Sequence, residues 1–275
     1  MRFTTSDGLS LAWQEEGTGL PVLCLPGLTR NGADFDELAA VLGGRVRLIR
    51  LTLRGRGASD RDPNPLNYNV GIEARDVVEF LDFLGLPKVT IVGTSRGGIV
   101  AMLLAATAHD RLAGVLLNDI GPELAPEGLA NILTYLGVPP KACTLADVVG
   151  PLRSRMTAFP GLSDAKLLGL AARWFDEGPD GLLLNYDARI RDNIEATAGQ
   201  AAPDMWPLFD ALQGIPTAVV RGANSDLLTR ETVAKMRERH PGLIVAEVPD
   251  RGHVPFLDEP EAQAALAALL AEVAA

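Results

Sequence analysis

A chain of 275 residues with 47% hydrophobic content has enough apolar material for a sizeable core without help from disulfides or metals. Its net charge of −10, with no basic block to offset it, argues against a nucleic-acid partner. Two cysteines, Cys24 and Cys143, are too sparse for a disulfide framework.

In chain order, residues 2–16 read as two strands turned at Asp7-Gly8, a strong hairpin dipeptide. The opening MRFTTSDGLSLAW has no apolar core of a signal peptide, and no window is apolar for long enough to span a membrane. These features lead to the expectation of a cytoplasmic protein without membrane contact, monomer or homodimer. PVLCLPG follows as a short strand buried on both faces, with Cys24 as a small buried hydrophobe. ADFDELAAVLG has helical spacing and a glycine stop, and RVRLIRLTL is the next strand, ending at the turn RGRGASD. Residues 70–85 set Ile72, Val77, Phe80, Leu81 and Leu84 along one helical stripe. KVTIVG, GGIVAMLLAATAHD and LAGVLLND continue as strand, helix and strand. Alternation of this kind implies parallel pairing through right-handed crossovers, with helices on the faces of the sheet.

From Gly121 to Pro207 the pattern changes to helical segments punctuated by proline and glycine, EGLANILTYLG, LADVVGPLRSRM and DAKLLGLAARWFD among them. This stretch reads as a helical insertion. The alternation then resumes with PTAVVRG, TRETVAKMRERH, LIVAEVPD and a terminal Ala-rich helix. The domain expectation is a core of residues 1–120 and 208–275, with residues 121–207 inserted.

The stretch VGTSRGG places Ser95 between a buried strand and a helix, flanked by Gly93 and Gly97. A strand reversing sharply into a helix strains its turn residue and lifts that side chain clear of the sheet, and glycines remove the Cβ atoms that would collide there. The alternative is a serine that merely caps the helix. The helix start also offers the Arg96 N–H to a developing oxyanion, and the loop Pro26-Gly27-Leu28-Thr29 offers a second donor, Leu28 N–H ahead of Thr29.

A serine hydroxyl needs a base. His109 and His240 lie at helix ends and read as surface residues, whereas His253, in RGHVPFLDEP, follows the last strand at the edge where ligands bind. The orienting acid belongs at another strand end. Asp226, after the penultimate strand, is preferred because that strand neighbours the one carrying His253; Asp119, in VLLNDIG, is the alternative. Asp226 could instead cap the following helix, a job for which Thr229 competes.

With these residues in order, the chain resembles the α/β-hydrolase superfamily nearly end to end. The resemblance rests on LCLPGLTRNGADF, TLRGRGASD, VGTSRGG and RGANSDLL followed by RGHVPFLDEP. It implies an α/β fold with a mostly parallel eight-stranded sheet flanked by helices, and a helical cap formed by residues 121–207. It implies Ser95 as nucleophile, His253 as base, Asp226 as acid, and Leu28 and Arg96 N–H groups as oxyanion hole. Pro26-Gly27 stands where many members carry His-Gly, and a serine at the elbow speaks against the epoxide hydrolase and dehalogenase branches.

The expected chemistry is cleavage of a carboxylic ester of a small, largely apolar molecule through an acyl-enzyme, with no cofactor and no metal. Thr29, Tyr135, Leu136, Trp174, Tyr186, Trp206 and Val254 are candidate pocket residues, and Arg96, Arg189 and Arg191 are candidate carboxylate contacts. Carbon–carbon bond hydrolysis of the meta-cleavage-product type, a non-catalytic small-molecule receptor and a cofactor-independent oxygenase are the alternatives on the same fold.

Overall fold

The computed structural model describes residues 1–196 and 203–275. Asp7-Gly8 turns the chain between β1 (Arg2–Thr4) and β2 (Ser10–Glu16), an antiparallel pair with Phe3 opposite Leu11. The alternating unit follows as β3 (Pro21–Leu25), α1 (Asp36–Leu42), β4 (Arg47–Leu51), α2 (Val70–Phe83), β5 (Val89–Thr94), α3 (Arg96–Thr107) and β6 (Leu112–Asn118). The inserted stretch holds α4 (Pro126–Tyr135), α5 (Leu145–Arg155), α6 (Asp164–Trp174), a hairpin of β7 (Phe175–Gly178) and β8 (Gly181–Leu184), and α7 (Ile190–Ala196). The chain closes with α8 (Trp206–Asp210), β9 (Thr217–Gly222), α9 (Arg230–Arg239), β10 (Ile244–Val248) and α10 (Pro260–Ala274).

The eight-stranded sheet runs β1-β2-β4-β3-β5-β6-β9-β10. Its first two pairings, β1 with β2 and β2 with β4, are antiparallel, and the rest are parallel. The parallel strands are apolar throughout because both faces are covered, and the two-residue period sorts their side chains. Leu23, Leu25, Ile91 and Leu117 enter the core under α2 and α3. Val22, Cys24, Val92 and Leu116 enter the one under α1 and α10. Cys24 is fully buried and unpaired, and burial pushes its thiol well above the ordinary range. All C-terminal ends of the parallel strands therefore meet at one edge of the sheet.

Two expectations need correction. The inserted stretch is not wholly helical: β7 and β8 pair antiparallel, Phe175 opposite Leu184. The turn signal Pro179-Asp180-Gly181 sits between short arms with few β-branched residues, and Gly181 takes φ 127° to close it. At the other end, Trp206 packs against the main core beside the buried Phe209 while bonding to Glu123 of the inserted stretch. Residues 197–202 of the inserted stretch lie outside the described residues. His240, expected at the surface, is buried, with its Nε2 3.2 Å from the Leu212 carbonyl oxygen, whereas His109 is exposed. Among the described residues no helix is long and apolar enough to cross a membrane.

Candidate active site

The turn between β5 and α3 is tight because three glycines let backbone meet backbone. A Cβ on Gly97 would lie 2.1 Å from the Leu25 carbonyl oxygen, and one on Gly93 would lie 2.7 Å from that of Gly97. Ser95, between them, is held at φ 49° and ψ −113°, a conformation L-residues rarely adopt. It occupies the N-cap position of α3 but its side chain caps nothing. The hydroxyl is turned instead to His253, whose Nε2 lies 2.8 Å away.

His253 stands on the loop after β10, which Glu259 secures by accepting from Arg251 Nε at 2.7 Å and from the Phe256 N–H at 3.0 Å. Asn118 Nδ2 donates to the Pro255 carbonyl at 3.0 Å and ties this loop to the end of β6. The second ring nitrogen, Nδ1, lies 2.7 Å from Oδ2 of Asp119, which is fully buried. With the proton on Nδ1 the carboxylate accepts it, and Nε2 is left to take the serine proton.

The acid beside His253 is thus Asp119 and not Asp226, the residue preferred on sequence. Asp226 is exposed and accepts a hydrogen bond from Asn131 Nδ2 of α4, and Thr229 caps α9. The reason lies in the register. β6 pairs directly with β9, and the Asp119 N–H donates to the Val220 carbonyl at 2.7 Å, so both loops arrive at the same place. Within the loop after β9, Ser225 faces inward and Asp226 outward. Ser225 Oγ donates to Asp119 Oδ2 at 2.6 Å, and the Gly222 N–H donates to Oδ1 at 2.8 Å. Together with His253 these give the carboxylate three donors, so its orientation is fixed. Removing one charge-assisted donor costs about 1–2 kcal/mol, so Ser225→Ala is expected to slow modification of Ser95 by a fluorophosphonate about tenfold.

The loop after β3 forms a turn closed by the Arg30 N–H donating to the Gly27 carbonyl at 3.1 Å. The Leu28 carbonyl is drawn away from the site by Arg56 Nε, 2.9 Å distant. Neither the Leu28 nor the Arg96 N–H is given to an acceptor among the described residues, which leaves both available to an oxyanion. Arg56 and Glu73 are fully buried and paired at 2.8 Å, and Glu73 also accepts from Arg96 Nε at 2.6 Å. Burial raises the Glu73 carboxyl, but the Arg96 and Arg56 charges outweigh it and hold the group below its ordinary range. The Arg96 side chain therefore braces the elbow against α2 and reaches the Tyr68 carbonyl at 3.1 Å. Arg189 pairs with Asp187 and Arg191 with Glu195.

A cavity of about 90 Å³ opens over Ser95 and His253. Of the pocket residues expected from sequence, Thr29, Tyr135, Trp174 and Val254 line it. Leu136 and Tyr186 do not; they pack with Tyr68 and Ile190, and the Tyr186 hydroxyl accepts the Gly137 N–H at 2.9 Å. Trp206 does not either, since its Nε1 donates to Glu123 at 2.9 Å and its ring meets Phe209 edge-on. Arg30 and Phe159 line the cavity and were not singled out from sequence. Among the described residues no group of three or more histidine, cysteine, aspartate or glutamate side chains is placed to hold a metal ion.

An open parallel sheet with a strained serine turn at its C-terminal edge, served by a histidine from the far end of the chain, defines a hydrolase of the α/β class. The chain belongs to the alpha/beta hydrolase family, matching it over residues 22–266. It is 37% identical to a 3-hydroxybutyrate-oligomer hydrolase of Cupriavidus necator over 265 residues, covering 93% of this chain and 89% of the relative. An alpha/beta hydrolase from Novosphingobium aromaticivorans superposes with a TM-score of 0.92 at 41% identity, covering 99% of this chain and 97% of that one. A thermophilic esterase from Thermogutta terrifontis superposes with a TM-score of 0.76 at 26% identity, covering 99% and 98%.

Proposed function

We propose that the protein hydrolyses carboxylic esters of small, largely apolar acids through an acyl-enzyme on Ser95. The observation that carries this reading is the placement of His253, 2.8 Å from Ser95 Oγ and 2.7 Å from Asp119 Oδ2. His253 Nε2 takes the serine proton as Ser95 Oγ attacks the ester carbonyl, and the resulting oxyanion is met by the Leu28 and Arg96 N–H groups. Collapse of the tetrahedral species expels the alcohol, protonated by His253. Water, deprotonated by the same nitrogen, then attacks the acyl-enzyme and releases the acid and Ser95. Asp119 keeps the imidazole in the productive tautomer and offsets the imidazolium charge.

The inserted stretch serves as cap, because Tyr135 of α4, Phe159 of the connection from α5 to α6, and Trp174 of α6 line the cavity above the serine. The identity to the Cupriavidus relative supports short hydroxy-acid oligoesters as the first substrates to try. A fluorophosphonate probe tests the reading before any substrate is known: the wild-type protein is expected to be labelled within minutes, and Ser95→Ala not at all. Equal labelling of both proteins, or of neither, would sink it.

A further inference from the structure

Resting on the ester-hydrolase reading, we infer that Arg30 is a carboxylate-binding residue of this site. The substrate class it selects is an ester with a free carboxylate one short unit from the scissile bond. Arg30 lines the cavity that holds Ser95 and His253. Its stem is close to the nucleophile: a Cβ added to Gly27 would lie 3.4 Å from Arg30 Cγ and 3.9 Å from Ser95 Cβ. The guanidinium carbon sits 3.6 Å from the centre of the Trp174 ring, a cation–π contact that fixes the head group while leaving its edge N–H groups free.

Those N–H groups have no hydrogen-bond acceptor among the described residues. The nearest carboxylate, Asp34, forms an ion pair with Arg30 at 3.8 Å from Nε, too long for a hydrogen bond, and its other oxygen accepts from Trp174 Nε1 at 3.1 Å. Desolvation in the cavity wall pushes the Asp34 carboxyl above its ordinary range. Every other arginine considered near the site is committed. Arg173, which also lines the cavity, donates to Glu37 at 2.6 Å, and Arg96 donates to Glu73. An arginine stacked on an indole, its side chain 25% exposed and its fork without a hydrogen-bond acceptor beside a nucleophile, is suited to bidentate recognition of a carboxylate. It follows that the enzyme acts at the carboxyl end of a chain and leaves esters lacking that end as poor substrates.

The test compares the free-acid dimer of 3-hydroxybutyrate with its methyl ester on wild-type, Arg30→Gln and Arg30→Lys proteins, each checked for an unchanged melting profile. Losing a charge-assisted bidentate pair is worth about 10- to 100-fold in kcat/KM. The wild type is expected to prefer the free acid by that factor, Arg30→Gln to lose the preference, and Arg30→Lys to keep part of it. A wild type indifferent to the cap, or an Arg30→Gln protein that retains the preference, overturns the assignment. If neither ester is cleaved, the ester reading fails and calorimetry decides the carboxylate one. Binding of 3-hydroxybutyrate, and not its methyl ester, to Ser95→Ala protein but not to the Ser95→Ala, Arg30→Gln protein upholds the site. Equal binding of acid and ester, or no binding, removes it.

Discussion

Asp119→Asn is expected to lower kcat about 10⁴-fold with little change in KM, whereas Asp226→Asn stays within about twofold of wild type. The contrast follows from position. Asp119 is buried with its Oδ2 2.7 Å from His253 Nδ1, and an amide there would present the wrong partner and stabilise the wrong tautomer. Asp226 is exposed, and its contact is to Asn131. Ester hydrolysis by the two variants side by side decides the matter; equal losses would return the acid to the loop after β9. Because Ser225 Oγ touches the same carboxylate oxygen as His253, Ser225→Asp is expected to recover part of the activity lost in Asp119→Asn. The two substitutions exchange the strand that supplies the acid and leave its place unchanged.

The second large effect concerns stability. Glu73→Ala leaves the fully buried Arg56 guanidinium without its counter-ion, and breaking a buried pair from one side costs about 3–5 kcal/mol. Chemical denaturation is expected to show a loss of that size. Activity should fall as well, since Arg56 also holds the Leu28 carbonyl. The pH dependence has a definite sign. The Glu73 carboxyl is depressed in the folded protein from its ordinary value of 4.5. Its contribution is therefore complete above that value and disappears as the pH falls through the lower, folded one. The gap in melting temperature between wild type and Glu73→Ala should narrow on acidification below the ordinary glutamate range. A gap that is constant with pH would mean that the loss is one of packing alone.

Much of this architecture is legible in the chain because its signals are local. The strands β3, β5 and β9 are short apolar runs closed by turns, and Ser95 is bracketed by glycines whose missing side chains the fold requires. His253 could be singled out because it is the histidine that follows a strand rather than ending a helix. The choice of acid was not local. Asp119 and Asp226 each follow a strand, and only the pairing of β6 with β9 decides which carboxylate faces His253. A similar limit applied to α2. Of its apolar stripe, Val77, Phe80 and Leu81 are buried as the spacing predicts and Ile72 and Leu84 are half-buried, but Glu73 and Asp76 are buried too. Charges on a core face look like solvent residues until their arginine partners, Arg56, Arg96 and Arg54, arrive from other elements. Arg30 is illegible in the sequence for a related reason, since its place on the Trp174 ring and at 3.8 Å from Asp34 exists only in the fold.

The short crossover from β5 through α3 to β6 carries both Ser95 and Asp119, and the Ser95 N–H donates to the Asn118 carbonyl at 3.0 Å. Ser95 and Asp119 thus come from one compact, low-contact-order unit that is complete before the inserted stretch begins. His253 is the late arrival, reaching back across 134 residues to Asp119 and 158 to Ser95. In design terms, this chain keeps Ser95 and Asp119 upstream of the inserted segment and His253 downstream of it. Changes within the segment are expected to leave Ser95 and Asp119 where they are, provided that the last loop still delivers His253. The contribution of the inserted residues to substrate range thus begins after the end of β6, whereas that of Arg30 lies upstream, on the same part of the chain as Ser95.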